Sequence, residues 1–209
     1  MGEFIVVRHH ESEWNKLGKW TGLTDVHITS YGAEMSVKMG ELIKDLRIDR
    51  IFISPLIRTK ETLDNMQKAM HKENVPVESS AALDERDYGD YTGMNKWEMK
   101  EKIGEEKFDS IRRDWDCLVP HGETLKMVYE RAVPYYLNVI LPHLRNGENV
   151  LMVSHGNTIR ALMKYMENIS DEDIKQTEMP FGGVIIYDVD NEGHMIKKET
   201  KLVESHVNA

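Results

Sequence analysis

Short apolar runs punctuate the chain at wide intervals. Phe4-Ile5-Val6-Val7 and Asn149-Val150-Leu151-Met152-Val153-Ser154 are apolar almost throughout, the pattern of strands buried on both faces of a parallel sheet. Arg50-Ile51-Phe52-Ile53 and Val184-Ile185-Ile186-Tyr187 read as further strands, Val75-Pro76-Val77 as the start of a short one, and Met195-Ile196 as the start of an edge strand after a turn at Asp190-Asn191-Glu192-Gly193. Between them the apolar period lengthens to that of a helix. Met35, Met39, Leu42, Ile43 and Leu46 follow a capping residue at Thr29 or Ser30. Leu63, Met66 and Met70 form a stripe within a helix from Leu56 to about His71. The longest stripe, Leu125, Val128, Tyr129, Ala132, Tyr136, Val139, Ile140 and Leu144, is interrupted by Pro134 and Pro142, which predicts a kink or break. Thr158 to Met166 reads as a helix, and Ser170-Asp171-Glu172-Asp173 as the opening of another with acids in its first turn. Strand–helix alternation of this kind predicts a doubly wound, mostly parallel α/β sheet flanked by helices. Residues 84–122 break the alternation. They are charged, with Trp97, Phe108, Ile111 and Trp115 as scattered anchors, and read as a small helical cap inserted over the sheet edge of a single domain spanning 1–209. The last ten or so residues are polar and expected to be mobile.

Composition narrows the function classes. At 209 residues, 40% hydrophobic and 30% charged, the chain suits one soluble α/β domain with a sizeable core. A net charge of −9 argues against nonspecific nucleic-acid binding, so an anionic ligand would need a local cluster of Arg and Lys working against the global field. The single cysteine, Cys117, excludes an internal disulfide. No apolar run approaches the roughly 18 residues of a membrane span, and the start lacks the basic and apolar regions of a signal peptide. A reducing cytoplasm is the default compartment. No carboxylate cluster or zinc spacing suggests a metal site.

The chemistry gathers where strands end. The first run closes in Arg8-His9-His10-Glu11, at the carboxyl end of a strand, where ligands bind in open α/β sheets. Arg8 offers a fork of donors to phosphate oxygens, and its charge favours a neutral, nucleophilic imidazole at His9. The 149–154 run closes in His155-Gly156-Asn157-Thr158 before a helix start, itself an anion site. Gly156 would permit a tight turn there. Two such strands could bring two imidazoles to one edge of one sheet.

With Ser12-Glu13-Trp14-Asn15, Thr21-Gly22, Glu85-Arg86-x-Tyr88-Gly89, Gly93-x-Asn95-Lys96 and Arg112-Arg113, these motifs make seven in order from about residue 3 to about residue 190. Together they resemble the histidine phosphatase superfamily, and within it the branch of cofactor-dependent phosphoglycerate mutases. The resemblance implies interconversion of 3-phosphoglycerate and 2-phosphoglycerate in glycolysis and gluconeogenesis, primed by 2,3-bisphosphoglycerate, with no metal. It implies His9 as the phosphoryl-carrying nucleophile, with Arg8, Arg58 and His155 around the transferring group and Gly156 or Asn157 adding a donor. Glu85 would be the general acid and base, a role that asks for burial under the cap, and Glu11 would orient an Arg or His. Asn15, Thr21 and Gly22 would touch substrate from the first loop, with Tyr88 beside them. Arg86, Lys96, Arg112 and Arg113 form a cationic surplus that a substrate bearing both phosphate and carboxylate rationalises.

Three features depart from the branch. His10 follows the nucleophile where Gly is usual, and would be strained if that site needs positive φ. The cap is shortened, since Arg113 lies close to Pro120-His121-Gly122-Glu123. The tail is short. A homodimer is compatible with the resemblance, and neither a nucleic acid nor a membrane is an expected partner. Two alternatives stay open: a metal-independent phosphatase acting on a small phosphorylated acid or sugar, and a noncatalytic phosphate-binding module.

Overall fold

The computed structural model describes residues 1–203. Its strands are β1 (Phe4–Arg8), β2 (Arg50–Ile53), β3 (Val77–Ser79), β4 (Val150–Ser154), β5 (Gly183–Val189) and β6 (Met195–Leu202), joined in one six-stranded sheet of order β3-β2-β4-β1-β5-β6. β3, β2, β4 and β1 run parallel; β5 pairs antiparallel with β1, and β6 antiparallel with β5. The sheet is therefore mostly parallel, as the unbroken apolar runs predict.

Strand alternation splits the core into two. Ile5, Val7, Ile51, Ile53, Leu151 and Val153 pack on one face against α2 (Ser30–Ile43) and α3 (Ile57–Met70), through Met35, Met39, Ile43, Leu63, Met66 and Met70. Phe4, Val6, Phe52, Val150 and Met152 pack on the other face against α6 (Leu125–Tyr135), α7 (Leu141–Arg145) and α8 (Gly156–Met166). Thr29 caps α2, its hydroxyl accepting from Gly32 N.

The proline-containing stripe does not break. α6 runs through Pro134, a π-helical segment spans Tyr136–Ile140, and α7 carries Pro142 near its start. The wider turn reroutes backbone bonds around residues that have no N–H to give, so the apolar face stays continuous. The expected helix after Ser170 is only a 3₁₀ turn, Asp173–Gln176. With Ile174 its one buried residue, it has too little apolar surface to hold a longer helix. β3 begins at Val77 rather than Val75, and its three residues are exposed at the sheet edge. Of the expected mobile tail, residues 204–209 lie outside the described residues. Among the described residues no helix is long and apolar enough to cross a membrane.

The segment 84–122 holds one 3₁₀ turn (Gly89–Tyr91) and the helices α4 (Lys96–Ile103) and α5 (Glu105–Arg113). Its own small core is Tyr88, Met99, Phe108, Ile111 and Val119, closed by Trp20 from the first loop. Backbone bonds stitch the two together: Trp20 N donates to Met94 O, Gly93 N to Trp20 O and Lys96 N to Gly18 O.

Candidate active site

Two strands far apart in sequence lie side by side at the sheet centre. Their register pairs Phe4 with Val150 and Arg8 with Ser154, so both end at the same level. The next residues are His9 and His155, and His9 N donates to Ser154 O at 3.0 Å. The chain leaves β1 through the short α1 (Glu13–Lys16) toward α2 on one face and leaves β4 toward α8 on the other, which opens a crevice between the two strand ends. The rings of His9 and His155 stand edge to face, centroids 5.0 Å apart.

His9 Nδ1 lies 2.7 Å from His10 O. A carbonyl only accepts, so Nδ1 carries the proton and Nε2 is left with its lone pair. The His9 pKa lies well below its ordinary value, through burial first, then the charges of Arg58 and Arg8. His155 is lowered likewise by burial and then Arg58. Both imidazoles are neutral at physiological pH.

Arg8 and Arg58 are held by backbone rather than by acids. Arg8 Nη1 donates to Met179 O at 2.7 Å, and its guanidinium lies 3.7 Å over the Phe181 ring. Arg58, in the first turn of α3, donates to Gly22 O and Thr24 O at 2.8 and 2.9 Å. Burial lowers both pKa values to about 10, against the opposing pull of Glu85. Gly156 earns its place by proximity rather than by a turn: a Cβ there would sit 3.3 Å from Arg8 Cζ. Gly22 has φ +52°, a conformation that favours glycine.

His9 opens onto a cavity of about 90 Å³ lined by Asn15, Thr21, Gly22, Lys96, Arg112 and Arg113 as well as Arg8, Arg58, Glu85, Tyr88, Gly156 and Asn157, while His155 is fully buried beside His9 and does not line it. Asn15 Oδ1 is occupied by Ser12 N and Oγ, which leaves its amide nitrogen for the cavity. Arg112 and Arg113 close α5, where a helix C-terminus favours cations. Lys96 is lowered to about 8, by burial first and then by Arg112 and Arg8.

Three expectations change. Arg86 does not reach the cavity: it is fully buried behind it and donates to Glu123 O, Ile111 O and Cys117 O, at 2.6, 2.7 and 2.9 Å. A fork with five donors is a good fit for two loop carbonyls and one in the last turn of α5, where helix carbonyls lack an intrahelical partner, so Arg86 ties the cap together. Asn157 is at the cavity, but its N–H and side-chain amide donate to Glu85 Oε1, and its amide also to Tyr88 Oη. It therefore orients Glu85. Glu11 accepts from Thr29 Oγ1 at 2.7 Å and so supports the α2 cap instead of an Arg or His. His10 does not lie at positive φ. Its ring is buried between Tyr31 and Phe181, and Nδ1 accepts from Glu11 N at 2.8 Å, so it replaces glycine without backbone strain.

Lys19, Arg160 and Glu178 also line the cavity and were not anticipated. Lys19 had a signal, lying two residues before Thr21. Arg160 had one too: a long cation in the apolar run Ile159–Leu162, three residues from Asn157 and so on the same helical face. It donates to the carbonyls of Arg112, Arg113, Ile174 and Thr177 and to Asn157 Oδ1. Glu178 had no signal in spacing or type.

Buried polar atoms cluster here without hydrogen-bond partners among the described residues: Arg8 Nε, Arg58 Nε, Trp20 Nε1, Thr21 Oγ1 and both ring nitrogens of His155. Unmet buried donors are costly and rare. Around two neutral imidazoles and a ring of cations, they form a site whose chemistry suits a phosphate-like anion.

The chain belongs to the histidine phosphatase superfamily (branch 1), whose family model matches residues 4–200. A 2,3-bisphosphoglycerate-dependent phosphoglycerate mutase from Parvibaculum lavamentivorans is 38% identical over 197 residues, covering 93% of this chain and 94% of that protein. A phosphoglycerate mutase from Schizosaccharomyces pombe is 36% identical, covering 93% of each. Among solved structures, a mycobacterial glucosyl-3-phosphoglycerate phosphatase superposes with a TM-score of 0.83 at 16% identity, covering 98% of this chain and all of that one, which reflects the shared fold.

Proposed function

We propose that this chain is a phosphoglycerate mutase that interconverts 3-phosphoglycerate and 2-phosphoglycerate through phosphohistidine at His9. The observation that carries the reading is neutral His9, its ring against that of His155 at the ends of β1 and β4, facing a cavity lined by seven cationic side chains. The unmet buried donors of Arg8, Arg58 and Thr21, with that cationic lining, fit a polyanion such as 2,3-bisphosphoglycerate. When bound, that primer supplies the phosphoryl group that charges His9.

His9 Nε2 attacks phosphorus in line; a N–P bond forms as the P–O bond to the leaving oxygen breaks. Donation of Nδ1–H to His10 O keeps Nε2 aimed and stabilises the charge the ring acquires. Arg8, Arg58 and His155 surround the equatorial oxygens, where charge develops. Glu85, its Oε1 pinned by Arg86 N and Asn157, presents the other oxygen to protonate the leaving hydroxyl and later deprotonate the attacking one. Lys96, Arg112 and Arg113 hold the substrate carboxylate and distal phosphate. Asn15 and Thr21 complete the wall from the first loop.

A coupled assay of 3-phosphoglycerate conversion, with and without 2,3-bisphosphoglycerate, tests this. Primer-dependent conversion and acid-labile labelling at His9 are expected. Free phosphate as the main product would replace the mutase with a phosphatase, and an unlabelled wild-type protein would leave a binding module.

A further inference from the structure

Of the two carboxylates that line the cavity, Glu85 has a role above and Glu178 does not. Glu178 sits in a segment threaded among the site's cations. The residue before it, Thr177, accepts from Arg160 Nε at 2.8 Å through its carbonyl, and the residue after it, Met179, accepts from Arg8 Nη1 at 2.7 Å. Held at both ends, the Glu178 side chain reaches across to form an ion pair with Arg113. The two side chains are 46% and 26% exposed. A pair that wet contributes little to stability, so an arriving anion can take Arg113 from it. The same two residues wall an open groove outside the cavity, together with Glu106, Asp109 and Lys175, so the pair partitions cavity from groove.

A negative charge at the rim of a phosphate site is hard to explain as a binding device, because it opposes the ligand. It is easier to explain as a discriminator. A bisphosphorylated acid carries about 1.5 to 2 more negative charges than a monophosphorylated one, and repulsion from one fixed carboxylate grows in proportion.

We propose that Glu178 is a specificity-determining residue: it occupies Arg113 when no anion is bound and selects against the more highly charged ligand, so that the bisphosphorylated acid is released more readily than the cationic lining alone would allow. This role is built on the mutase reading. In a largely aqueous dielectric, this extra charge about one Debye length away, on the order of 10 Å, corresponds to roughly threefold discrimination, rising toward tenfold as the local dielectric falls below that of bulk water.

The test compares wild type, Glu178→Gln and Glu178→Asp at low ionic strength. In the coupled assay, Glu178→Gln should lower the 2,3-bisphosphoglycerate concentration for half-maximal activation roughly three- to tenfold, and the KM for 3-phosphoglycerate by less. Glu178→Asp should retain the wild-type ratio, and added salt should shrink the difference between wild type and Glu178→Gln. An unchanged ratio, or equal shifts for the two ligands, would overturn the proposal. A wild-type protein that interconverts no phosphoglycerate would sink the mutase reading instead. Calorimetric dissociation constants for the two ligands, on wild type and Glu178→Gln, would then still decide whether Glu178 selects by charge.

Discussion

Lys96 offers the sharpest check on how substrate is held, because its charge titrates within the assay range. Lys96 lines the cavity beside Arg112, and burial with the neighbouring Arg112 and Arg8 charges brings its pKa to about 8. The sign follows directly. Below pH 8 the free enzyme presents an ammonium to the substrate carboxylate; above it, the amine is neutral and the attraction is lost. Because kcat/KM reports the free enzyme, it should fall as pH rises through about 8, with the loss in KM rather than kcat, since a bound anion restores the proton. Lys96→Met keeps the bulk of the side chain and removes the charge. Losing a hydrogen bond between charged groups costs about 1.5–3 kcal/mol, roughly ten- to 150-fold in kcat/KM. Lys96 is only half-buried, which places the expectation near about 2 kcal/mol, or thirtyfold. Lys96→Arg, charged throughout the range, should keep most of the activity and lose the alkaline limb. The assay is mutase flux from pH 6.5 to 9.5, run beside hydrolysis of an aryl phosphate that has no carboxylate. A flat wild-type profile, or equal losses of Lys96→Met on both substrates, would refute the carboxylate-holding role.

Three further predictions follow from the packing. His10→Gly removes a fully buried ring and leaves Glu11 N without its acceptor, so urea unfolding should show a loss of about 2–4 kcal/mol, and wild-type stability would contradict the packing role. Arg86→Met should strand three backbone carbonyls and lower stability by about 3–5 kcal/mol with little change in KM; a raised KM with an unchanged melting temperature would return Arg86 to the substrate. Arg160→Leu should raise the KM for 3-phosphoglycerate about tenfold or more and aryl phosphate KM far less, because Arg160 fixes the carbonyls of Arg112 and Arg113; equal effects would mean only a general loosening.

The sheet was legible because strands buried on both faces must be almost wholly apolar, and β1 and β4 are, up to their last residues Arg8 and Ser154. Their adjacency was not written in either run; it came from histidines at both ends and from the family resemblance. What failed were readings in which residue type stood for direction. Arg86 beside Glu85 looked like another cation for the substrate, yet adjacent residues on an extended segment diverge, and its fork turned inward to carbonyls. Asn157 sat one residue from Gly156 and looked like a phosphate donor, but its donors are drawn to the nearest carboxylate. Arg160 was overlooked because an apolar helix invites a core reading, although a cation there has to find buried acceptors. Glu178 was invisible for a different reason: an acid has no evident place in a site read as an anion trap.

The unmet donors and the lowered basicities have one cause. Burial lowers the pKa values of Arg8, Arg58, Lys96 and Arg160, neighbouring arginines lower those of Arg8, Lys96 and Arg160 further, and Arg8 Nε and Arg58 Nε lie buried without acceptors among the described residues. A fold that only had to be stable would pair these groups with acids, as the rest of this acidic chain does readily at its surface. Here Arg8, Arg58 and Arg160 donate mainly to backbone carbonyls, which fix the guanidinium groups without neutralising them. The charge is thus held in position and left uncompensated until an anion arrives. An anion that meets it gains the attraction without having to reorganise the site, and the gain is largest for the species with most charge on its oxygens, which is the transferring phosphoryl group itself.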